Sequence, residues 1–467
     1  MNYYKLLFSG FMMFLIGCKS TKEKVMLNPS IKKNVLFIMV DDLRPQLSIY
    51  GQQQIVNPNI EMLAKSGVVF NKAYCNVPVC GASRASLLTG LRPTKNQFLR
   101  YNASIKKETP ETLTLVEHLK NNGYTTISNN KITHLKYDIE EWDEEWYPYK
   151  KGWRNYLSEE NISLEKNGVH GYAYENIDVA DDAYNDGKTA KKSIEDLKKL
   201  KENGKPFFLA VGFVKPHLPF NAPKKYWDLY NREDIKLPEN NTFPESAPNW
   251  AKHNWGELRY YKDIPKKGQV SHEMAKTLIH GYYASVSYVD AQIGKLLKSL
   301  EDLKLKNNTV VILVGDHGWS LMEHSLWAKH SNFNVALNVP LIISAPNNKI
   351  NKKTNSIAEL VDLYPTICDL TNISKPSHLE GNSLVNALNN PSKSFKNNAF
   401  ARYQKGETLI TEKYAYTEWQ KKSKTLARML YDHHLDPNEN NNLAEKAAYK
   451  KTVDSLSILL NQKINNK

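Results

Sequence analysis

Four apolar runs in this sequence each hand over to residues that can do chemistry. "NVLFIMV" (34–40) is followed by Asp41-Asp42, and "YTTIS" (124–128) by "NNKITH" with Lys131 and His134. "PFFLAVGFV" (206–214) is followed by Lys215-Pro216-His217, and "TVVILVG" (309–315) by Asp316-His317-Gly318. A further stretch, "VCGASRASLLTG" (79–90), sets Cys80 and Arg84 at the expected N-terminus of a helix. A pair of aspartates after a strand is often only a helix cap. Four runs delivering carboxylates, cations and imidazoles form a stronger pattern, because ligands of an open parallel sheet bind beyond the carboxyl ends of its strands.

Asp41, Asp42 and Asp316 would meet at that edge. Like charges at close range raise one another's pKa unless a cation neutralises them. A hard divalent ion with oxygen ligands meets the need, and calcium suits a flexible carboxylate cage better than magnesium. His317 is the softer member of the set. Arg84, Lys131 and Lys329, with His134 and His217, surround the cluster with cationic groups. A metal and several cations facing one small space make a receptor for a tetrahedral oxyanion, so sulfuryl or phosphoryl transfer is the expected reaction class. Cys80 is open to two readings from its type alone. A lone cysteine beside an apolar run is commonly a small buried hydrophobe. A helix N-terminus and a neighbouring arginine favour negative charge, on a thiolate or on a bound oxyanion.

The hydrophobic pattern says what must hold these residues. The four runs, with "VPLIISAP" near 339–345, read as buried strands, separated by helical patterns such as "PETLTLVEHLKNNG" and "YYASVSYVDAQIGKLLKSLEDL". This alternation predicts an α/β fold, a large mostly parallel central sheet flanked by helices on both faces. Past residue 375 the runs "ETLITEKYAYTEWQ" and "TLARMLYD" predict a short antiparallel sheet, closed by a helix over "YKKTVDSLSILLNQK". The expected organisation is a catalytic domain over 31–375 and a smaller C-terminal subdomain over 376–467. Regions 135–185 and 231–270 have weak periodicity and read as insertions that shape a pocket rim.

The N-terminal "MNYYKLLFSGFMMFLIGCKS" has a lysine, then an apolar stretch too short to span a bilayer. That is the pattern of a secretory signal. Its end, Leu15-Ile16-Gly17-Cys18, resembles a bacterial lipobox. The resemblance implies a signal peptide over 1–17, lipid attached to Cys18 and a tether over 18–30. The expected location is an exported lipoprotein, in the periplasm or anchored to either face of the outer membrane, touching the membrane through its lipid only. The formal charge is +14, but the lysines are scattered with no dense basic tract. That points away from nucleic acid and suits an acidic polysaccharide. Cys75, Cys80 and Cys368 have no zinc-like spacing; buried free thiols are expected, with a Cys75–Cys368 pair as the alternative.

The arrangement C-G-A-S-R-x-x-x-L-T-G, Cys80 to Gly90, resembles the signature of the formylglycine-dependent (type I) sulfatases of the alkaline phosphatase superfamily. "NVLFIMVDDLRPQLSIYG", "KPHLPFNAPKKYWDLY", "GDHGWSLMEHSLWAKHSNFNVALNVPLI" and "ELVDLYPTICDL" are similar, in the same order, to segments of iduronate-2-sulfatase-type enzymes. "LYDHHLDPNENNNLA" (430–444) resembles their closing segment. The resemblance implies that Cys80 is oxidised after translation to formylglycine (3-oxoalanine) by a maturase, and that Arg84 binds this group and sulfate. It implies one Ca2+ held by Asp41, Asp42, Asp316 and His317, completed by the Cys80-derived group. Lys131 and His134 match the family's Lys-x-x-His contacts, and His217 and Lys329 its sulfate and leaving-group contacts. A hydrated formylglycine would attack sulfur in line, with His217 as acid and His134 as base, or the two exchanged. Most members carry proline where this chain has Ala82, which leaves the installing enzyme open and suggests a radical maturase.

The implied substrate is a sulfated carbohydrate, either 2-O-sulfated uronic acid units of glycosaminoglycans or an algal polymer such as ulvan. Glu323, His324, Trp327, His330 and Asn332, neighbours of Lys329, are candidates for lining the sugar pocket, and Trp319 reads as core. Two other functions compete. A phosphatase or phosphodiester hydrolase of the same superfamily usually carries Ser or Thr as nucleophile, against the cysteine here. A non-catalytic glycan-binding lipoprotein would not need candidates at every catalytic position.

Overall fold

The strands Asn34–Val40 (β1), Phe207–Phe213 and Thr309–Gly315 are buried at every position, so their sequences are continuous apolar runs rather than alternating ones. Such strands belong to a sheet covered on both faces. The computed structural model describes residues 32–149, 153–346, 351–421 and 424–465. The signal peptide, Cys18 and the tether lie outside the described residues.

Residues 33–467 cluster as one compact unit. In chain order the main-sheet strands after β1 are Val68–Phe70 (β2), Thr125–Asn130 (β3), Glu144–Trp146 (β4), Phe207–Phe213 (β5), Thr309–Gly315 (β6), Leu341–Ser344 (β7) and Lys352–Thr354 (β8). They form one eight-stranded sheet in the order β8-β2-β7-β6-β1-β5-β3-β4. Every pairing is parallel except the two made by β7, so one strand runs against the rest. Alternate side chains of β1 enter opposite cores. Leu36, Ile38 and Val40 pack in a cluster with Leu197 of the helix Asn185–Asn203 (α2) and Ile279 and Val286 of the helix His272–Asp302 (α3). Val35, Phe37 and Met39 pack in the other with Leu87 and Leu88 of Cys80–Thr89 (α1) and Ile367 of Leu363–Thr371 (α4).

Register gathers the chemistry. Val40 lies opposite both Phe213 and Gly315, and Asn130 opposite Gly212. The chain therefore leaves β1, β3, β5 and β6 at nearly one level, and the residues that follow emerge side by side. Gly212 is needed for this fit: a Cβ there would stand 2.1 Å from the Lys131 carbonyl oxygen.

The C-terminal sheet is a four-stranded antiparallel meander, Asn398–Tyr403, Gly406–Thr411, Tyr414–Lys421 and Lys424–Asp432. Phe400, Leu409, Tyr416 and Leu430 pack under Val453 and Leu460 of the closing helix Lys450–Asn465 (α5). The mostly parallel sheet, the C-terminal antiparallel sheet and the final helix are as the sequence pattern predicts. The short strands β2, β4 and β8 are additions that three-residue segments are too brief to reveal by periodicity. Cys75, Cys80 and Cys368 are buried free thiols. Among the described residues no helix is long and apolar enough to cross a membrane.

Candidate active site

Asp41 and Asp42 follow β1 directly, and both are fully buried. Asp42 has a left-handed backbone (φ 60°), which turns the chain so that its N–H donates to Asp316 Oδ1 at 3.1 Å. The His317 N–H donates to the same oxygen at 3.0 Å. The β1 and β6 exits are thus pinned together by one carboxylate. α1 begins at Cys80, with Val79 as its cap residue, and all ten of its residues are buried. Cys80 Sγ is 3.2 Å from His317 Nε2, and ligand atoms of Asp41, Cys80, Asp316 and His317 all lie within 4.8 Å of one another.

Arg84, one turn along α1, clamps three strand exits. Its Nε donates to Asp316 Oδ2 at 2.8 Å, its Nη2 is 3.3 Å from Asp41 Oδ1, and its Nη1 donates to the carbonyls of Lys131 and Ile132. Lys131 Nζ pairs with Asp41 Oδ2. On the other side Lys329 Nζ donates to Asp42 Oδ1 at 3.0 Å and to Glu257 Oε1 at 3.0 Å. Glu257 also faces His217 Nε2 at 2.9 Å, while His217 Nδ1 meets the Leu218 carbonyl at 2.6 Å. His134 sits at the rim, its ring edge-on to Tyr101 and its Nδ1 without a partner.

The charges are strongly coupled. Burial would raise Asp41, but Lys131 and Arg84 outweigh it and hold the carboxyl well below the usual range. Burial, with Asp41 and Cys80 nearby, pushes Asp42 well above its usual range despite Lys329. Burial pushes the Cys80 thiol up to about 12, and Asp41 adds to it. The helix N-terminus and Arg84 therefore do not make Cys80 a thiolate, because the guanidinium is spent on Asp41 and Asp316. Burial, then Lys131, lowers His134 to about 3. Burial, Lys329 and Lys131 lower His217, with Glu257 opposing them.

A cation fits the residues present. Asp42 Oδ2 is a buried carboxylate oxygen with no protein partner, and Asp41 Oδ1 has only the Arg84 guanidinium at 3.3 Å, without a hydrogen bond; a buried anion is stable only when paired. Hard oxygen donors beside one imidazole are the set expected for a divalent ion.

The ten residues given catalytic, metal or sulfate-binding roles from the sequence converge here: Asp41, Asp42, Cys80, Arg84, Lys131, His134, His217, Asp316, His317 and Lys329. Glu257 was missed. It lies on the four-residue helix Gly256–Arg259 inside the weakly periodic 231–270 region, and only its place in an expected pocket rim pointed towards it. The neighbours of Lys329 divide. His330 is half-buried near His253, with Glu257 acting on it. Asn332 instead pins the C-terminal sheet through Thr408 Oγ1 at 2.9 Å, and Glu323 pairs with Arg44 at 2.7 Å. Trp319 and Trp327 are buried core residues, with Lys329 Nζ 5.0 Å from the Trp319 ring centre.

Comparison with known proteins agrees with this geometry. The family model described as Sulfatase matches residues 33–373, and that of N-sulphoglucosamine sulphohydrolase, C-terminal, matches 322–466. Iduronate 2-sulfatase of Mus musculus is 33% identical over 382 residues, covering 73% of this chain and 69% of its own. A sulfatase of Formosa agariphila is 29% identical over 469 residues, covering 96% and 90%. A solved structure of a protein in complex with its substrate D-glucosamine-2-N,6-O-disulfate superposes with TM-score 0.76 at 22% identity, covering 92% of this chain and 97% of that one; it shares the fold. Sheet, site and relatives together define a hydrolase of the alkaline phosphatase superfamily. Within it, the chain belongs to the sulfatase family and is a sulfuric ester hydrolase.

Proposed function

We propose that this protein is an exported, lipid-anchored sulfatase that removes sulfate esters from a sulfated polysaccharide or its oligosaccharides, with formylglycine made from Cys80 as its nucleophile. The observation that carries the reading is Cys80 Sγ at 3.2 Å from His317 Nε2, inside the Asp41–Asp316–His317 cluster. Hydrated formylglycine supplies one hydroxyl to attack sulfur and a second whose deprotonation expels sulfate, which a plain thiol lacks. Asp41, Asp42, Asp316 and His317 would hold one Ca2+, which supplies positive charge at the reacting oxygens.

The chain's own residues do the rest. Lys131 and Lys329 take the sulfuryl oxygens, exchanging their present carboxylate partners Asp41, Asp42 and Glu257 for the substrate. The Leu218 carbonyl fixes His217 Nδ1 as a donor, so the neutral ring has a bare Nε2; the acid is the imidazolium, whose Nε2–H is held by Glu257 at 2.9 Å and can pass to the departing sugar oxygen. Such general acid catalysis contributes about 10²–10⁴-fold. His134, unpartnered at Nδ1, can take the proton of the second hydroxyl. Similarity to iduronate 2-sulfatase favours 2-O-sulfated uronic acid units, and a net charge of +14 suits that polyanion or an algal one such as ulvan. Lipid on Cys18 accounts for retention at a bacterial envelope.

The test is mass spectrometry of the peptide spanning Ala73–Arg84, from protein purified from its own host. Loss of the mass that separates cysteine from formylglycine is expected. An unmodified thiol in protein that still cleaves an aryl sulfate would overturn the formylglycine reading.

A further inference from the structure

A cavity of about 780 Å³ lies beside the site, walled by Tyr149, Arg154, Asn155, Tyr156, Lys166 and Lys188. Two residues connect it to the chemistry. Trp153 stands edge-on to His217 with ring centres 6.0 Å apart, and its Nε1 donates to the Leu218 carbonyl at 3.3 Å. Tyr149, in the cavity wall, lies within electrostatic reach of Lys131 and Asp41. The wall residue Asn185 donates to the Trp153 carbonyl at 3.4 Å, so the cavity wall is joined through Trp153 to His217, where the leaving group departs under the proposed mechanism.

Its charge is unbalanced. Arg154 is neutralised by Glu165, with Nε to both carboxylate oxygens at 3.0 Å and Nη2 to Oε2 at 2.9 Å. Lys166 and Lys188 have no ion-pair partner among the described residues. Asn155 adds a buried side-chain oxygen without a partner, held in a left-handed backbone (φ 49°). The tyrosine rings give the wall the amphipathic faces that sugars stack on. A different polar cavity, about 390 Å³ walled by Arg44, Glu239, Glu323 and Glu439, is acidic and would repel an anionic glycan.

We infer that this cavity is a subsite for the sugar next to the one that loses sulfate, and that Lys166 and Lys188 there bind a second acidic group, a carboxylate or sulfate, on that neighbour. The inference rests on the proposed glycan sulfatase reading and narrows it: the preferred substrate carries at least two anionic groups on adjacent sugars.

The experiment compares kcat/KM on three probes: 4-nitrophenyl sulfate, a 2-O-sulfated uronic acid monosaccharide, and a heparin-derived disaccharide with the same 2-O-sulfate and an N-sulfate on its neighbour. Wild type should prefer the disaccharide. In Lys166→Ala/Lys188→Ala that preference should fall roughly five- to tenfold, through KM, the scale of two partly exposed ionic contacts. Rates on the two smaller probes should hold, and Lys188→Arg should retain the preference. An unchanged preference, an equal loss on all probes, or no preference in wild type overturns the subsite. Equilibrium binding of the disaccharide to wild type and double variant, measured in parallel, reads the subsite directly. A protein that binds the disaccharide through these lysines but cleaves none of the probes overturns the glycan sulfatase reading instead.

Discussion

The molecule holds two buried clusters of acids and bases, and they are built from nearly the same parts. Around the candidate active site stand Asp41, Asp42, Asp316, Arg84, Lys131 and Lys329. Behind α1 stand Glu359, Asp362, Arg92 and Lys396. In the second cluster every charge is answered. Glu359 Oε1 accepts from Asn76 Nδ2 (2.8 Å), Arg92 Nε (2.9 Å) and the Phe400 N–H (3.2 Å). Glu359 Oε2 accepts from Arg92 at 2.6 Å and pairs with Lys396 at 2.5 Å. Asp362 accepts from Lys396, from the Asn382 N–H and from the Glu359 N–H. In the first cluster Asp42 Oδ2 has neither a hydrogen bond nor an ion pair, and Asp41 Oδ1 and Arg84 Nη2 meet only each other, at 3.3 Å without a hydrogen bond. Composition does not separate a site from a staple. Here the difference lies in how completely the carboxylates are answered: the Glu359–Asp362 network is closed, and Asp42 keeps one oxygen free of protein partners.

Substitutions can break this contrast. The largest effect on turnover is expected from Asp42→Asn. Asparagine tolerates the left-handed backbone at this position and keeps an acceptor for Lys329. It also removes a charge that burial already disfavours. Activity should fall about 10²–10³-fold while Tm is held or rises, the trade expected where function requires a strained charge. A thermal scan showing collapse of this variant would erase the distinction between the two clusters.

Glu359→Gln should do the reverse. Removing one partner of a buried ionic network costs about 3–5 kcal/mol, with kcat of the folded enzyme unchanged. Arg92 and Lys396 outweigh burial and hold Glu359 far below its ordinary 4.5. A depressed folded pKa gives stability that is full above the unfolded value and is lost as pH falls. The stability gap between wild type and Glu359→Gln should therefore be widest near neutrality and narrow below pH 4.5, as read by denaturant titration at several pH values.

A smaller effect sharpens the comparison inside the site. Glu257 is the larger of the two opposing charges, with Asp41, that lift His217 against burial and the lysines. With Glu257→Gln the His217 pKa should drop further. If His217 acts as the acid, the alkaline limb of the kcat profile moves to lower pH, with roughly tenfold loss at the wild-type optimum. An unshifted profile would assign the proton to another group, His134 first.

The sequence was legible where a buried strand ends. Full burial forces an unbroken apolar run, so the first polar residue after "NVLFIMV" or "TVVILVG" marks the sheet edge, and edges are where ligands bind. Glu257 was not legible, because a four-residue helix entered through a left-handed Trp255 carries no periodic signal. The closed cluster was hidden for another reason: Arg92 and Glu359 stand 267 residues apart, and nothing local announces their pairing.

Cys80 is 3% exposed, at the head of a helix buried along its whole length. Any enzyme that alters this side chain needs the surrounding segment as slack polypeptide. Once Arg84 has closed on Asp316 and the carbonyls of Lys131 and Ile132, that segment is out of reach. The modification proposed for Cys80 would therefore have a deadline, set by how fast the chain folds. A molecule that missed it would stay a thiol until it unfolded. The active fraction of a preparation would then record the outcome of a race during biosynthesis, and no later treatment of the folded protein would raise it.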